Sequence, residues 1–246
     1  MSYLENSGTK EAIVLAGGLG TRLQSVVKDL PKPMAEVAGR HFLDYILFSL
    51  AKNQVKQVVL AVGHLNEVIQ EHYSDEKNRF GLRISYSIEK ELLGTGGAIT
   101  QAANLIAGES FFVLNGDTYF DIGLRTLENF AQQKGAKVAL ALKQISYSQR
   151  YGQVIRDETD KIISFKEKDS GYAPSLTING GVYYLHRSAL TEFELPAKFS
   201  FELDFLQQHI SSLQAYGKVF PGTFIDIGIP EDYQTAQTLL QNVIQS

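Results

Sequence analysis

The chain has 246 residues, a net charge of -4, 44% hydrophobic and 20% charged residues, and no cysteine. That length can bury a core on both faces of a sheet, and the acidic balance argues against nucleic acid or an anionic membrane as partner, since both draw on a basic field. Lack of cysteine excludes disulfides, thiolate metal sites and cysteine nucleophiles. No cationic start followed by an apolar run and no span-length apolar stretch is present, so the reading is a cytoplasmic protein.

Short apolar, β-branched runs predict a strand at Ala12–Ala16, then strands at Gln57–Val62, Arg83–Ile88, Phe111–Leu114 and Lys137–Leu142. Between them, helical spacing predicts helices at Phe42–Asn53, Asn66–Tyr73, Gly97–Ile106 and Leu124–Lys134, the last stopped by Gly135. Continuous apolar strands alternating with helices imply an α/β fold, a Rossmann-like, mostly parallel sheet covered by helices on both faces. From about residue 144 the pattern becomes α+β. A hairpin is expected in "YGQVIRDETDKIISFKEK", a strand in "NGGVYYLH", a helix in "FELDFLQQHISSL", a strand pair at Ala215–Phe220 and Phe224–Ile227, and a last helix from Pro230. No linker divides the chain, so residues 1–246 read as one domain with an N-terminal half to about residue 143.

Ligands of such a sheet bind beyond the carboxyl ends of its strands, which directs attention to the loops. Directly after the first strand, "AGGLGTR" offers bare backbone N–H groups at Gly17, Gly18 and Gly20, a hydroxyl at Thr21 and a forked donor at Arg22. A glycine turn with a surface arginine reads the same way. The loop lacks both the third glycine of a dinucleotide fingerprint and the Gly-Lys-Ser/Thr of a P-loop. In "DLPKPM", Pro31 and Pro33 stiffen the backbone around Lys32, or simply form a loop. "FFVLNGDTYF" and "FIDIGIPEDY" each end an apolar strand on an aspartate, Asp117 and Asp226, where a carboxylate suits either Mg²⁺ or an Asx turn. The five histidines show no metal-site spacing.

"LAGGLGTRL" followed by "PKPM" resembles the signature of the sugar-nucleotidyltransferase family, the pyrophosphorylases that join a nucleoside triphosphate to a sugar 1-phosphate. Matches continue in family order to residue 233. The resemblance implies the nucleotide-diphospho-sugar transferase fold, with an N-terminal half that binds nucleotide and a C-terminal half that binds sugar phosphate. It places the backbone of Leu15, Ala16, Gly17, Gly18, Gly20 and Thr21 around the nucleotide, and Arg22 and Lys32 on its triphosphate. "ELLGTGGAI" is similar to the base-recognition loop, with Gly94 and Thr95 against the base and Gly96 opening a helix. Glu89 precedes it at a position that often faces the base, although a solvated run Glu89-Lys90-Glu91 reads as well. Asp117 and Asp226 correspond to the Mg²⁺ ligands. "FKEKDSG" would supply Glu167 to sugar hydroxyls and Lys168 to the sugar phosphate, while "YGQV" and "INGGVYYL" place Gly152 and Asn179 near the sugar. Departures are Ser25 where many members have proline, Asp169 for the proline after Glu-Lys, and Ile229 for a threonine or serine; none removes a ligand.

Within the family, the short chain and the run "VVKDLPKPMAEVAGRHFLDYIL" look most similar to the D-glycero-α-D-manno-heptose 1-phosphate guanylyltransferases, which favours GTP. Mannose 1-phosphate guanylyltransferases and N-acetylmuramate 1-phosphate uridylyltransferases look less similar. A catalytically silent nucleotide-sugar binder would be expected to lose one of Arg22, Lys32, Asp117 and Asp226, all of which are present. Monomer and homo-oligomer read alike from the sequence.

Overall fold

The computed structural model describes residues 8–18, 23, 30–74, 80–146, 151–166 and 175–244. In chain order the elements are β1 (Glu11–Leu15), a 3-10 turn (Lys32–Met34), β2 (Glu36–Val37), β3 (Arg40–His41), α1 (Phe42–Lys52), β4 (Gln57–Val62), α2 (Asn66–His72) and β5 (Arg83–Ile88). There follow α3 (Gly94–Ala103), β6 (Ser110–Asn115), β7 (Thr118–Phe120), α4 (Leu124–Lys134), β8 (Val138–Ser146), β9 (Gln153–Arg156) and β10 (Ile162–Lys166). The chain continues through β11 (Ser175–His186), α5 (Ser188–Thr191), a π-helix (Phe201–Gln207), β12 (Ala215–Val219), β13 (Phe224–Asp226) and α6 (Pro230–Leu239).

One seven-stranded sheet, ordered β12-β8-β11-β6-β1-β4-β5, forms the centre. β1 runs parallel to β4 and β6, β4 to β5, and β12 to β8, whereas β11 is antiparallel to both β6 and β8. The predicted mostly parallel sheet is therefore present, with one reversed strand inserted from the C-terminal half. Alternate side chains divide between its two faces, as a strand's period of two requires. Ala12, Val14, Val58 and Leu60 pack with Phe42, Ile46, Leu127 and Ala236 of α1, α4 and α6. Ile13, Val59 and Ala61 pack on the other face with Ile99 and Ala102 of α3, Ala189 of α5 and the aromatic residues of the 199–205 segment.

Local chemistry explains the element ends. Asn53 links two helices: its Oδ1 accepts the Leu124 N–H that opens α4, while its Nδ2 donates to Ile122 O. Gly135 ends α4 at φ +60°, a left-handed position that favours glycine. At the π-helix, Ser200 Oγ accepts from Leu203 N while Asp204 Oδ2 accepts from Ser200 N, a reciprocal cap that fixes where the segment starts.

Three expectations need correction. The strands Ala215–Val219 and Phe224–Asp226 do not pair with each other: β12 joins the edge of the main sheet beside β8, and β13 pairs with β7. Residues 201–207 form a π-helix, with helical residues only as far as 209, so the predicted long helix is a short, wide turn. Helix α3 starts at Gly94, three residues before the predicted start, because Phe199 O accepts the Gly96 N–H and so supplies from tertiary structure what glycine-rich sequence lacks in propensity.

Candidate active site

The carboxyl ends of β1, β4, β5 and β6 lie side by side, with Leu15 opposite Asn115 and Ala61, and Val62 opposite Ile88. Each strand therefore delivers its following loop to one edge. The loop after β6 touches the end of β1, since Gly116 N donates to Leu15 O at 2.9 Å. Next to Gly116, Asp117 Oδ2 accepts from Lys32 Nζ at 2.5 Å, an ion pair whose lysine side chain is only 13% exposed. Pro31 and Pro33 flank that lysine, and its 3-10 turn is closed by the bond from Ala35 N to Lys32 O.

Asp226 reaches the same place from the far end of the chain. Antiparallel pairing of β13 with β7 sets Asp226 opposite Thr118, and Ile227 N donates to Asp117 O at 3.0 Å. Gly228 N donates to Asp226 Oδ1 at 2.6 Å, which fixes the carboxylate. A Cβ on Gly228 would stand 2.8 Å from that oxygen and 3.5 Å from Lys32 Nζ. Two aspartates and a lysine that are far apart in sequence thus converge. Among the described residues no group of three or more acidic, histidine or cysteine side chains is gathered. A pair of carboxylates is the donor set that suits Mg²⁺, a hard cation that takes one or two carboxylates and completes its shell with phosphate and water oxygens.

Two cavities meet at Asp117. One of about 520 Å³ is bounded by Leu15, Gly18, Lys32, Thr95 and Asn115. The other, of about 570 Å³, is bounded by Tyr151, Gly152, Asn179, Phe224 and Asp226. Asn115, Asp117 and Glu202 line both. The chain matches the Nucleotidyl transferase family over residues 11–243.

The chain belongs to the nucleotidyl transferase family.

Relatives within this nucleotidyl transferase family include the D-glycero-alpha-D-manno-heptose 1-phosphate guanylyltransferase of Campylobacter jejuni subsp. jejuni serotype O:2, 48% identical over 91% of this chain and 96% of the relative. A protein of the same name from Aneurinibacillus thermoaerophilus is 44% identical over 95% of this chain and all of the relative (100%). The crystal structure of HddC from Yersinia pseudotuberculosis superposes with a TM-score of 0.81 at 33% identity, covering 94% of this chain and 99% of that one. The same protein has been solved complexed with GMP-PN.

Around the first cavity, Gly17 and Gly18 differ in what their bareness permits. A Cβ on Gly17 would stand 2.7 Å from Glu89 Oε1, whereas one on Gly18 would meet nothing within 4 Å among the described residues. Glu89 is anchored from both sides, donating its N–H to Val62 O and accepting Leu93 N–H on Oε2 at 3.0 Å. Burial raises its carboxyl above the ordinary range, opposed by the Leu93 bond. Gly94, at φ +70°, and Gly96 are pressed against the 199 segment: added Cβ atoms would lie 2.5 Å from Phe199 O and 2.1 Å from its ring. Thr95 Oγ1 accepts from Phe201 N at 2.9 Å, so this hydroxyl ties the start of α3 to the π-helix.

In the second cavity, Gly152 and Asn179 share a wall with Asp117 and Asp226. Gly20, Thr21, Arg22, Ser25, Glu167, Lys168 and Asp169 lie outside the described residues. Glu202 and Asn115, which line both cavities, carry no local signal in the sequence: "SFELD" reads as an amphipathic helix start, and Asn115 as the residue that follows an apolar strand. Among the described residues no helix is long and apolar enough to cross a membrane.

Proposed function

We propose that the chain transfers GMP from GTP to a sugar 1-phosphate, D-glycero-α-D-manno-heptose 1-phosphate, giving the GDP-sugar and pyrophosphate in the cytoplasm. What carries this reading is the meeting of two cavities at Asp117, the partner of Lys32, one beside the glycine loop and one beside Asn179 and Gly152. The choice of base and sugar is supported by the two relatives at 48% and 44% identity, which carry that name.

An oxygen of the sugar phosphate attacks the α-phosphorus of GTP in line, and the bond to the β-phosphate oxygen breaks to release pyrophosphate. A phosphate monoester is already anionic at neutral pH, so the chain need not take a proton from it. Its work is positioning and charge neutralisation. Leu15, Ala16, Gly17, Gly18, Gly20 and Thr21 bind the nucleotide, Arg22 and Lys32 grip the triphosphate, and Lys168 holds the incoming phosphate. Asp117 and Asp226 would hold Mg²⁺, whose charge would offset that of the phosphates. Gly94, Thr95 and Gly96 shape the base loop, while Glu167, Asn179 and Gly152 bound the sugar.

Guanine presents N–H donors on its pairing edge, and a carboxylate only accepts. Glu89 Oε1 beside Gly17 is the acceptor for that edge. Glu89→Gln should therefore raise the KM for GTP about 10-fold or more and leave that for the sugar phosphate within about twofold; an unchanged KM for GTP removes Glu89 from base recognition. The reaction itself is tested by pyrophosphate release from GTP, UTP, CTP, dTTP and ATP against heptose, mannose, glucose and N-acetylmuramate 1-phosphates. The expected product is GDP-heptose. Turnover confined to UTP rejects the guanylyl assignment, and no turnover with any pair favours a silent nucleotide-sugar binder.

A further inference from the structure

β11 carries a bulge: its pairing with β8 shifts register between Asn179 and Val182. Gly181 sits there at φ +70°, and Gly180 packs under the Phe120 ring, where a Cβ would come within 2.5 Å. Such a bulge re-aims the side chain beside it. Asn179 Oδ1 accepts from Gly181 N at 3.1 Å, which settles the orientation of the amide. Both hydrogens of its Nδ2 then have protein acceptors, Tyr183 OH at 2.7 Å and Glu202 Oε1 at 2.8 Å. Tyr183 OH donates to the same Glu202 oxygen at 2.7 Å.

Asn179 therefore has no donor left for a ligand, and its bonds converge on Glu202. Tyr183 is fully buried (1% exposed) and its phenol is pushed well above its usual range, first by burial and then by the charge of Glu202, so it remains a donor. The segment leading into Glu202 is held as well: Phe201 N donates to Thr95 Oγ1 and Phe199 N to Leu93 O. Two donors hold Oε1, while Oε2 has no donor among the described residues although the residue lines both cavities. An ionised carboxylate oxygen in that position accepts a hydrogen bond and repels a phosphate.

We propose that Glu202 is a specificity-determining residue for the sugar, its Oε2 accepting a ring hydroxyl, with Asn179 and Tyr183 as positioning residues that hold Oε1. The same charge turns the phosphate end of the substrate away from Oε2, so the carboxylate also sets which way round the sugar phosphate enters. This inference rests on the transferase reading above.

Glu202→Gln tests it. The glutamine oxygen still accepts from Asn179 and Tyr183, but an amide N–H replaces Oε2. The KM for the sugar 1-phosphate is expected to rise about 10-fold or more, with that for GTP moving less than about twofold. In a series of monodeoxy sugar 1-phosphates, the analogue lacking the contacted hydroxyl should show equal KM for wild type and variant. Tyr183→Phe, which removes one donor to Oε1, is expected to raise the sugar KM with kcat unmoved. A sugar KM unchanged in E202Q, or raised equally for every analogue, overturns the proposal. If E202Q does not fold, Glu202→Asp, which keeps the charge but withdraws it by one methylene, must raise the sugar KM in the same selective way or the proposal falls. Wild-type turnover measured first separates the two levels: an inactive wild type overturns the transferase reading together with this one, while an active wild type beside an unaffected variant overturns this one alone.

Discussion

Asp117→Asn lowers kcat by about 10²–10³-fold, the equivalent of about 3–4 kcal/mol of transition-state stabilisation. Asparagine is the informative replacement because Lys32 is only 13% exposed and its ammonium bonds Asp117 Oδ2. An alanine there would leave a nearly buried cation unpaired and would mix a folding defect into the result. The amide oxygen of asparagine still accepts from Lys32, so the melting temperature should stay within about 3 °C of wild type. What is lost is the negative charge beside Asp226, and with it affinity for Mg²⁺; the Mg²⁺ concentration giving half-maximal rate should rise. Steady-state rates across a Mg²⁺ titration, with a melting curve alongside, check both parts. Full turnover with unaltered Mg²⁺ dependence would remove Asp117 from the reaction.

Gly116→Ala should damage both stability and rate. A Cβ at this position would lie 2.4 Å from Leu15 O, 3.1 Å from Leu15 C and 3.3 Å from Ala16 Cα. All three are backbone atoms at the end of β1, so no side-chain rotation relieves the contact, and β1 and β6 must separate where they carry the site. Overpacking of this kind costs about 2 kcal/mol, which lowers the melting temperature of a chain this size by roughly 4–8 °C. Displacing Asp117 and the glycine loop by even an ångström should reduce kcat/KM about 10²-fold. Calorimetry and initial rates measure the two effects. A variant that melts with wild type and keeps its rate would mean that the approach of the two loops is not required.

Glu202 has a different kind of weight. It is not among the residues that hold the reacting phosphates in the proposed reaction, and its effect is expected in the KM of one substrate. Measured side by side, the two variants test whether charge at the junction sets turnover and the acceptor beyond it sets which sugar enters, as proposed above.

Much of this molecule is determined by its sequence alone. β4, β5 and α4 occupy the residues their patterns predict, because periods of 2 and 3.6 are local properties of the chain. The alternation of strand and helix also predicts the gathering of the β1, β4, β5 and β6 loops at one edge, since parallel strands must present their carboxyl ends together. Lys32, Asp117 and Asp226 stood out individually for the same reason, each in a loop or at a strand end. The tertiary structure alone decided what depends on contacts far apart in the chain. It placed β11 in reverse between β6 and β8, and sent β12 and β13 to different sheets. Burial across the whole domain chooses strand neighbours, and no short window of sequence contains that choice. Packing likewise set the roles of Gly96, Gly116 and Thr95, whose demands come from Phe199, Leu15 and Phe201. Glu202 could not be read from "SFELD", because its partners Asn179 and Tyr183 reach it only through the bulge at Gly180 and Gly181.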